Sequence, residues 1–333
     1  MKTSKIVAII CWSLVSLLFV SVLVTGILGG SVFGSFSFEE FANWGNSDNF
    51  TVSKEYSVPV GNIDSIDVGW TSGYVDIKPY DGKEIIFTEK SKKELKDKDR
   101  LTYNTGSGGK TLTIKFREHP LSFQFFSFGG GVSKGLEVWI PKELSEKLST
   151  LKINCVSADL TVSDVNAVNE DLTTVSGDIS LEKITGDKIK LSSTSGDVKL
   201  KNVTAKNTFN VHTVSGEIDG DAETSSLNTD TVSGDTNVTG KFSEITAHSV
   251  SGYCIFESSV CPRTVEIETV SGDATLKIPE NDGFDANFST VSGDLNCNFA
   301  ALVEKKHVLY KTGVNKFNFH SVSGDVFVKE SKK

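Results

Sequence analysis

Several features that would place this chain in a common functional class are scarce or missing. The 333 residues include only five cysteines, and Cys254 and Cys261 are the one pair near enough for a bridge, so we expect no disulfide scaffold. The net charge of −9 argues against a nucleic-acid-binding protein. No Ser-His-Asp arrangement, glycine-rich phosphate loop or Cys-x-x-Cys spacing occurs, so the sequence predicts no enzyme, no catalytic residues and no cofactor or metal site.

What the chain does contain is one short motif, Val-Ser-Gly-Asp, repeated through its second half. The motif serines, counted from a degenerate copy, stand at 157, 176, 195, 215, 233, 251, 271, 292 and 323. Spacings of 18 to 21 residues, with one last interval of 31, are the signature of stacked repeats. A motif copied this often indicates a structural rule rather than an active site. The copies that carry Ser, Gly and Asp are Ser176-Gly177-Asp178, Ser195-Gly196-Asp197, Ser233-Gly234-Asp235, Ser271-Gly272-Asp273, Ser292-Gly293-Asp294 and Ser323-Gly324-Asp325.

The residues around each serine predict two β-strands per repeat, joined at a corner. Inward rows stand four and two positions before the serine and three and five after it, as in Leu172, Thr174, Ile179 and Leu181. The parity changes at Ser-Gly, where glycine permits a positive φ and Asp can bond local backbone N–H groups. About 19 residues are too few for a strand and a crossover helix. The sequence therefore predicts an all-β fold, a single-stranded parallel β-solenoid (β-helix) of about ten coils, each hydrogen-bonded to the next.

The two ends of the repeat array depart from the regular period. An opening unit, Ile66–Ile77, has the same offsets around Ser72, and a long insertion follows it. The insertion is expected to cap the array, because an uncovered end would expose an unpaired edge. The last interval is expected to carry a cap or hairpin around Leu309–Asn318. Strands in the insertion are predicted at Ile85–Thr88, Thr111–Phe116 and Leu136–Ile140.

A membrane anchor is predicted near the N-terminus. Ile6–Gly30 is 25 residues without a charge, and Lys2 and Lys5 precede it. The positive-inside rule then puts the N-terminus in the cytoplasm and the repeats outside. An uncleaved anchor is favoured, and a cleaved signal is the alternative. The predicted division is a cytoplasmic stub 1–5, a transmembrane helix 6–30, a stalk or linker 31–55, an N-terminal capping part 56–150, solenoid repeats 151–329 and a tail 330–333.

The chain resembles the bacterial putative-adhesin β-strand-repeat family. The resemblance rests on the Val-Ser-Gly-Asp repeats, the Ile66–Ile77 unit, the strand Leu136–Ile140 running into Pro141-Lys142-Glu143-Leu144, and the single N-terminal span. It covers roughly residues 56–329. It implies a membrane-anchored β-solenoid outside the plasma membrane of a bacterium. The family is a domain of unknown function, so the resemblance supplies no catalytic residues.

The motif carboxylates have two interpretations. Stacked aspartates would bring like charges about 5 Å apart, which is unfavourable unless something offsets it. The functional interpretation is a calcium ladder or a polysaccharide-cleaving carboxylate site, and the structural one is that each Asp caps its own corner. We favour the structural interpretation, because calcium repeats supply more oxygens per coil and Tyr253 replaces Asp in one coil.

Two surfaces are candidates for partner binding, and three histidines share a row. Valines one position before the motif serine either face outward as an apolar stripe or turn inward at a bulge. The segment Leu121–Gly131 either covers an end of the solenoid or contacts the bilayer or a membrane partner. The histidines three positions before the serine are expected to be scattered surface residues, too far apart for one metal site. The residues are Val214, Val232, Val250 and Val270, then Phe123, Phe125, Phe126 and Phe128, then His212, His248 and His320.

These observations predict a non-enzymatic, adhesin-like binding or structural module of the bacterial cell envelope. Its expected partners are the membrane, through the single span, and a cell-wall glycan or an envelope protein, with no nucleic acid. The alternative is an accessory regulator of an envelope-stress or membrane signalling system. A glycan-active enzyme comes third, because it would need a cleft with paired carboxylates that interrupts the repeat.

Overall fold

The computed structural model describes residues 50–106, 108–117, 132–304 and 306–331. The chain divides into two compact units between residues 186 and 187, and we call their described parts the N-terminal unit and the C-terminal unit. The predicted all-β class is confirmed, with long strands in parallel pairing in both units. Among the described residues no helix is long and apolar enough to cross a bilayer. The predicted span Ile6–Gly30 and the four phenylalanines of Leu121–Gly131 lie outside the described residues.

The N-terminal unit is built from eight strands and the start of a ninth. A 3₁₀ turn at Asp97–Asp99 and a single helical turn, α1 (Lys142–Ser145), interrupt them. The strands are β1 (Val52–Pro59), β2 (Ser65–Tyr80), β3 (Glu84–Ser91), β4 (Thr102–Thr105), β5 (Thr111–Lys115), β6 (Lys134–Pro141), β7 (Leu148–Ser163), β8 (Asn166–Thr173) and β9 (Ile179–Ser193).

The opening repeat is not the outermost one of the N-terminal unit. On one side β2 pairs in parallel with β7, so that Ser72 lies opposite Ser157. On its other side β2 pairs in parallel with β5 and β6, which come from the insertion. β3 then pairs antiparallel with β6, and β4 pairs antiparallel with β5. β1 pairs antiparallel with β3. The three strands predicted in the insertion are confirmed as β3, β5 and β6, and antiparallel partners end the parallel stacking there.

A buried ion pair ties the insertion of the N-terminal unit together. Nζ of Lys134 lies 2.7 Å from Oε1 of Glu89, and both side chains are almost fully buried. The ammonium also donates to the carbonyl oxygens of Asp99 and Phe116, and the Leu101 N–H donates to Glu89. With these partners both charges are satisfied. Removing either one would leave the other buried and unpaired, at a cost of roughly 3–5 kcal/mol.

The C-terminal unit continues from β9 with twelve further strands. They are β10 (Val198–Thr213), β11 (Ile218–Ser233), β12 (Thr236–Ser251), β13 (Cys254–Ser258), β14 (Thr264–Ser271), β15 (Ala274–Ile278), β16 (Gly283–Ser292), β17 (Leu295–Cys297), β18 (Leu302–Glu304), β19 (His307–Lys311), β20 (Asn315–Ser323) and β21 (Val326–Glu330).

The repeats of the C-terminal unit stack in parallel and in register, but not entirely in sequence order. Ser233 lies opposite Ser251, and Ser251 opposite Ser271, as expected. The next layer is the last repeat, because Ser271 lies opposite Ser323, and Ser323 in turn opposite Ser292. The expectation that each coil pairs with the next one in sequence is therefore wrong at this point.

The 31-residue interval explains this change of order. After β16 the chain forms the antiparallel hairpin β18–β19, and β19 pairs antiparallel with β16. The outer side of β16 is thereby occupied, so the last repeat pairs on its inner side, between β14 and β16. The strands of the hairpin are Leu302–Glu304 and His307–Lys311, and Asn315–Asn318 already belong to β20, which corrects the predicted hairpin position around Leu309–Asn318.

The predicted inward rows form the core. Every residue four positions before a motif serine, from Ile153 to Phe319, is buried, and so is every residue three positions after one, from Leu160 to Val326. A fully buried side chain such as Phe319 contributes roughly 1.5–3 kcal/mol relative to an exposed one. The four cysteines among the described residues are free, so Cys254 and Cys261 form no bridge.

A second bend, present in three consecutive repeats, was not expected from the sequence. Asp164, Lys183 and Asn202 each stand seven residues after a motif serine, and each has a φ between 53° and 54°. Gly240, also seven residues after a motif serine, has a positive φ as well, of 151°. The left-handed region is costly for most side chains and is tolerated best by Gly, Asn and Asp. The mixed residue types at this bend hide it from a search for one repeated motif.

The motif glycine is required by the close approach of neighbouring repeats. A Cβ on Gly216 would lie 2.0 Å from the carbonyl oxygen of Gly196, and one on Gly234 would lie 2.3 Å from that of Gly216. These two glycines do not have the positive φ that the sequence analysis anticipated, which occurs at Gly252 and Gly272. The contact, rather than the backbone angle, is therefore the requirement that the copies share.

Replacing Gly216 with alanine should lower the free energy of unfolding by roughly 1–3 kcal/mol, because two backbones would have to move apart. Gly69→Ala is the matched control, since a Cβ on Gly69 would meet nothing within 4 Å. We expect it to change stability by less than about 0.5 kcal/mol. Denaturant unfolding followed by circular dichroism measures both, and equal effects of the two substitutions would contradict the close-contact explanation.

Candidate functional site

In three repeats a small polar residue of the inward row accepts a hydrogen bond from the N–H of the motif glycine. The Gly196 N–H donates to Oγ of Ser193 at 2.9 Å, and the Gly216 N–H donates to Oγ1 of Thr213 at 2.9 Å. In the N-terminal unit the Gly177 N–H donates to Thr174 in the same way. A buried N–H without an acceptor is costly, so these hydroxyls stabilise their corners. In other repeats the N–H groups of Gly234 and Gly272 donate instead to backbone carbonyl oxygens of neighbouring repeats, and the hydroxyl of Thr231 has no partner among the described residues.

The motif aspartates link one repeat to the next. Oδ1 of Asp235 accepts the Tyr253 N–H at 2.8 Å, and Oδ1 of Asp273 accepts the Asp325 N–H at 2.8 Å. Asp325 in turn accepts the Asp294 N–H at 2.8 Å. Each carboxylate therefore caps the corner of the neighbouring repeat, whereas the sequence analysis expected it to cap its own. The geometry favours the structural interpretation of these residues. It also explains why a tyrosine can stand at position 253, because the bond to Asp235 uses only the backbone N–H of that residue.

The motif valines lie between the core and the surface. Val214, Val232, Val250 and Val270 are each half-buried, between a buried residue that precedes them and an exposed serine that follows them. Of the two predicted arrangements, this alternation corresponds to the outward stripe. Val291 belongs to the outermost repeat of the C-terminal unit and is 76% exposed. We call Val214, Val232, Val250 and Val270 the valine row.

A second outward row, three positions before the serine, alternates histidine and carboxylate. His212 lies opposite Asp230, Asp230 opposite His248, and His248 opposite Glu268. Glu268 then lies opposite His320, because the last repeat stacks on β14. The prediction that the three histidines share one row is confirmed, but they are not scattered. We call these five residues the histidine–carboxylate column.

The central members of the column form a hydrogen-bonded pair. Nδ1 of His248 donates to Oδ1 of Asp230 at 2.7 Å, and Nδ1 of His212 lies 4.0 Å from Oδ2 of Asp230. The hydrogen bond to Asp230 raises the pKa of His248. Burial by itself raises the pKa of Asp230. The neighbouring imidazoles of His212 and His248 lower it by more, so the pKa of Asp230 is well below its ordinary value. Asp230 and His248 therefore stabilise each other's charged forms.

The end of the column formed by Glu268 and His320 brings three potential metal ligands together. One carboxylate oxygen each from Glu266 and Glu268 and one ring nitrogen of His320 lie within 4.8 Å of one another. The sequence analysis missed both glutamates and Asp230. The spacings of 18 residues from His212 to Asp230 and from Asp230 to His248 equal one repeat, so the sequence could have indicated that these three residues stack. The approach of His320 to Glu268 was not readable, because it depends on the changed order of the repeats.

The geometry of the repeats places the chain in a class of all-β proteins with parallel strands stacked in register. The model of the Toastrack DUF4097 family matches residues 63–329, and the chain belongs to this family. This agrees with the resemblance seen in the sequence. No curated protein matches the chain.

Three solved structures are similar to the chain. A putative lipid binding protein from Parabacteroides distasonis is 13% identical, with a TM-score of 0.47, covering 84% of this chain and 97% of that one. A putative adhesin from Parabacteroides merdae is 12% identical, with a TM-score of 0.42 and coverages of 67% and 95%. A putative cell adhesion protein from Clostridium sporogenes is 12% identical, with a TM-score of 0.25 and coverages of 84% and 99%. At these TM-scores none of the three bears on what the chain binds.

The Asp230–His248 pair should make stability depend on pH. The pKa of His248 is raised from 6.5, so its contribution is fully present below pH 6.5 and is lost as the pH rises through the raised value. The pKa of Asp230 is lowered from 3.8, so its contribution is present above pH 3.8 and is lost only as the pH falls through the lowered value. His248→Asn should remove the loss on the alkaline side, which we expect to be below about 1 kcal/mol for this half-exposed pair. Thermal unfolding of the wild type and the variant, at a pH below and a pH above the pKa of an unfolded histidine, measures this loss of stability. If the variant kept the same dependence of stability on pH, the Asp230–His248 pair would not be its cause.

The carboxylate of Asp325 should be needed as an acceptor rather than as a charge. Asp325→Ala removes the acceptor for the Asp294 N–H, and we expect a loss of roughly 1 kcal/mol in the free energy of unfolding. Asp325→Asn keeps an acceptor oxygen and should lose less than half of that amount. Denaturant unfolding of the two variants measures the difference, and equal losses would argue against the hydrogen bond between repeats.

Proposed function

We propose that this protein is a non-enzymatic, adhesin-like binding or structural module of the bacterial cell envelope. In this proposal residues 6–30 span the plasma membrane, the N-terminus is cytoplasmic, and the repeats form a parallel β-solenoid of about ten coils outside the membrane. The parallel in-register pairing within each unit and the family membership support the solenoid. The uncharged run of 25 residues supports the anchor.

The observation that carries the proposal is the valine row of the C-terminal unit. Parallel strands in register repeat at about 4.8 Å, so the row presents one half-buried apolar side chain per layer. An exposed serine follows each valine and adds a hydroxyl at the same spacing. A contiguous apolar stripe beside polar groups is typical of an interaction surface. A surface with a fixed short repeat suits an extended partner, which we propose to be a cell-wall glycan or an envelope protein.

The remaining atoms of the motif support a non-enzymatic role. The corner glycine N–H groups donate either to inward hydroxyls, as at Gly216, or to backbone carbonyl oxygens of neighbouring repeats, as at Gly234. The Asp235 and Asp273 carboxylates accept N–H groups of neighbouring repeats. Groups engaged in this way hold the repeats together. A hydrolase would instead need paired carboxylates free to act on a substrate within a cleft.

Changing all four residues of the valine row to lysine should abolish partner binding. The matched control changes four exposed apolar residues outside the row, Val168, Leu302, Val303 and Val314, to lysine, so both variants gain the same charge. We expect the row variant to bind purified cell-wall fragments, or the envelope protein crosslinked in cells, at least tenfold more weakly than the wild type and the control. Sedimentation with wall fragments and crosslinking of the full-length protein in cells distinguish the two partners.

Two results would contradict this proposal. Equal binding by the row variant and the control would exclude the valine row as the contact surface. Capture of integral membrane proteins that both variants retain would instead favour an accessory regulator acting through the span and the Leu121–Gly131 segment. Circular dichroism of both variants checks that the fold is retained.

A further inference from the structure

Two neighbouring strands of the C-terminal unit carry a compact group of metal-binding side chains. Glu266 and Glu268 stand two residues apart on β14, so their side chains leave the same face of the strand. β20 lies beside β14 in parallel register and places His320 opposite Glu268. The three potential ligand atoms lie within 4.8 Å of one another. Small side-chain rotations would bring them to the separation of about 3.4 Å that two ligands of a tetrahedral ion have at bond lengths of about 2.0–2.2 Å.

The state of Glu268 is a second, independent indication of a ligand. Its side chain belongs to a residue that is only 8% exposed. Among the described residues its carboxylate has neither a hydrogen bond nor an ion pair, although such partners are available to Asp230 in the same column. A carboxylate on a largely buried side chain with no close polar partner is unfavourable, and a bound cation would supply that partner. The carboxylate lies within the group formed with Glu266 and His320.

We infer that Glu266, Glu268 and His320 form a binding site for one divalent transition-metal ion of the zinc type. An imidazole nitrogen with two carboxylate oxygens suits such ions, whereas Mg²⁺ and Ca²⁺ prefer oxygen ligands alone. Three protein ligands leave one position of a tetrahedral site open for water or for an oxygen atom of a binding partner. The site extends beyond the proposed binding function and does not depend on the valine row.

His248 lies opposite Glu268 on β12, and its Nδ1 donates to the Asp230 carboxylate. The three ligand atoms that meet within 4.8 Å do not include it, so we do not count His248 among the ligands.

The order of the repeats gives the site a structural consequence. Glu266 and Glu268 belong to the repeat of Ser271, and His320 belongs to the last repeat, which stacks directly on it. An ion bound here would link the last repeat to β14 by bonds additional to the backbone ladder. We therefore expect the metal to raise the unfolding temperature of the protein as well as to bind.

The test is a zinc titration of the full-length protein, purified in detergent and freed of metal with a chelator. Isothermal titration calorimetry should show one zinc ion per chain for the wild type. Glu268→Gln combined with His320→Asn should weaken binding at least tenfold and remove the zinc-dependent rise in unfolding temperature. The matched control combines Glu257→Gln with His307→Asn, which changes the same residue types at positions paired with Lys277 and Asp285. We expect the control to bind zinc as the wild type does.

Cobalt provides a readout of the ligand set. Co²⁺ in the wild type should give the visible absorption of a low-coordinate complex, and this absorption should be lost in the Glu268→Gln and His320→Asn variant. Wild-type zinc binding no tighter than that of this variant would overturn the inference, and so would an equal loss in the control. If the double variant does not fold, as judged by circular dichroism, Glu266→Gln alone decides, because unchanged zinc affinity in that variant would also overturn the inference.

Discussion

Parallel pairing in register is the constraint on which the rest of the structure depends. It places each residue of one repeat against the residue at the same motif position of the next repeat. Layers so close leave no room for a Cβ at the motif glycine, where the distance to the neighbouring carbonyl oxygen would be 2.0 Å at Gly216. The same closeness lets Asp235 reach the Tyr253 N–H and lets Asp273 reach the Asp325 N–H. The repetition of the sequence thus reflects contacts between layers more than conformations within one.

Stacking of like positions also creates an electrostatic problem, which this chain meets in two ways. At the motif aspartates, each carboxylate accepts a backbone N–H of the neighbouring repeat, which offsets the repulsion between layers. In the histidine–carboxylate column, the residue type alternates from layer to layer, so that no carboxylate lies opposite another carboxylate: the order is His212, Asp230, His248, Glu268 and His320. The first arrangement is structural. The second brings ionisable groups of different chemistry together on the surface, and it ends in the cluster that we assign to a metal ion.

Each unit places one repeat out of sequence order and ends its parallel stack with antiparallel strands. In the N-terminal unit, β2 lies between β7 and the strands β5 and β6 of the insertion. In the C-terminal unit, β20 lies between β14 and β16, and β19 pairs antiparallel outside β16. An unpaired parallel edge would invite association with other strands, and an antiparallel partner from the same chain occupies it. The proposed metal site depends on this arrangement, because the sequence order alone would not bring His320 to Glu268.

The sequence by itself determined the repeat and the inward rows, because these depend on local periodicity and on the pattern of polar and apolar residues. It left the valines open between an outward stripe and an inward bulge. It also predicted two strands per repeat, whereas β10, β11 and β12 each run through a repeat as one strand of 16 residues. It also placed His212, His248 and His320 in one row. It could not determine the order in which the repeats stack. The last repeat would have the same local pattern whether it paired after β16, in sequence order, or between β14 and β16, as it does. It also did not reveal the bends at Asp164, Lys183 and Asn202, where the backbone angle is the same but the residue type differs. Only the tertiary structure decided that Glu266, Glu268 and His320 meet, because their contact depends on pairing between strands about 50 residues apart in the chain.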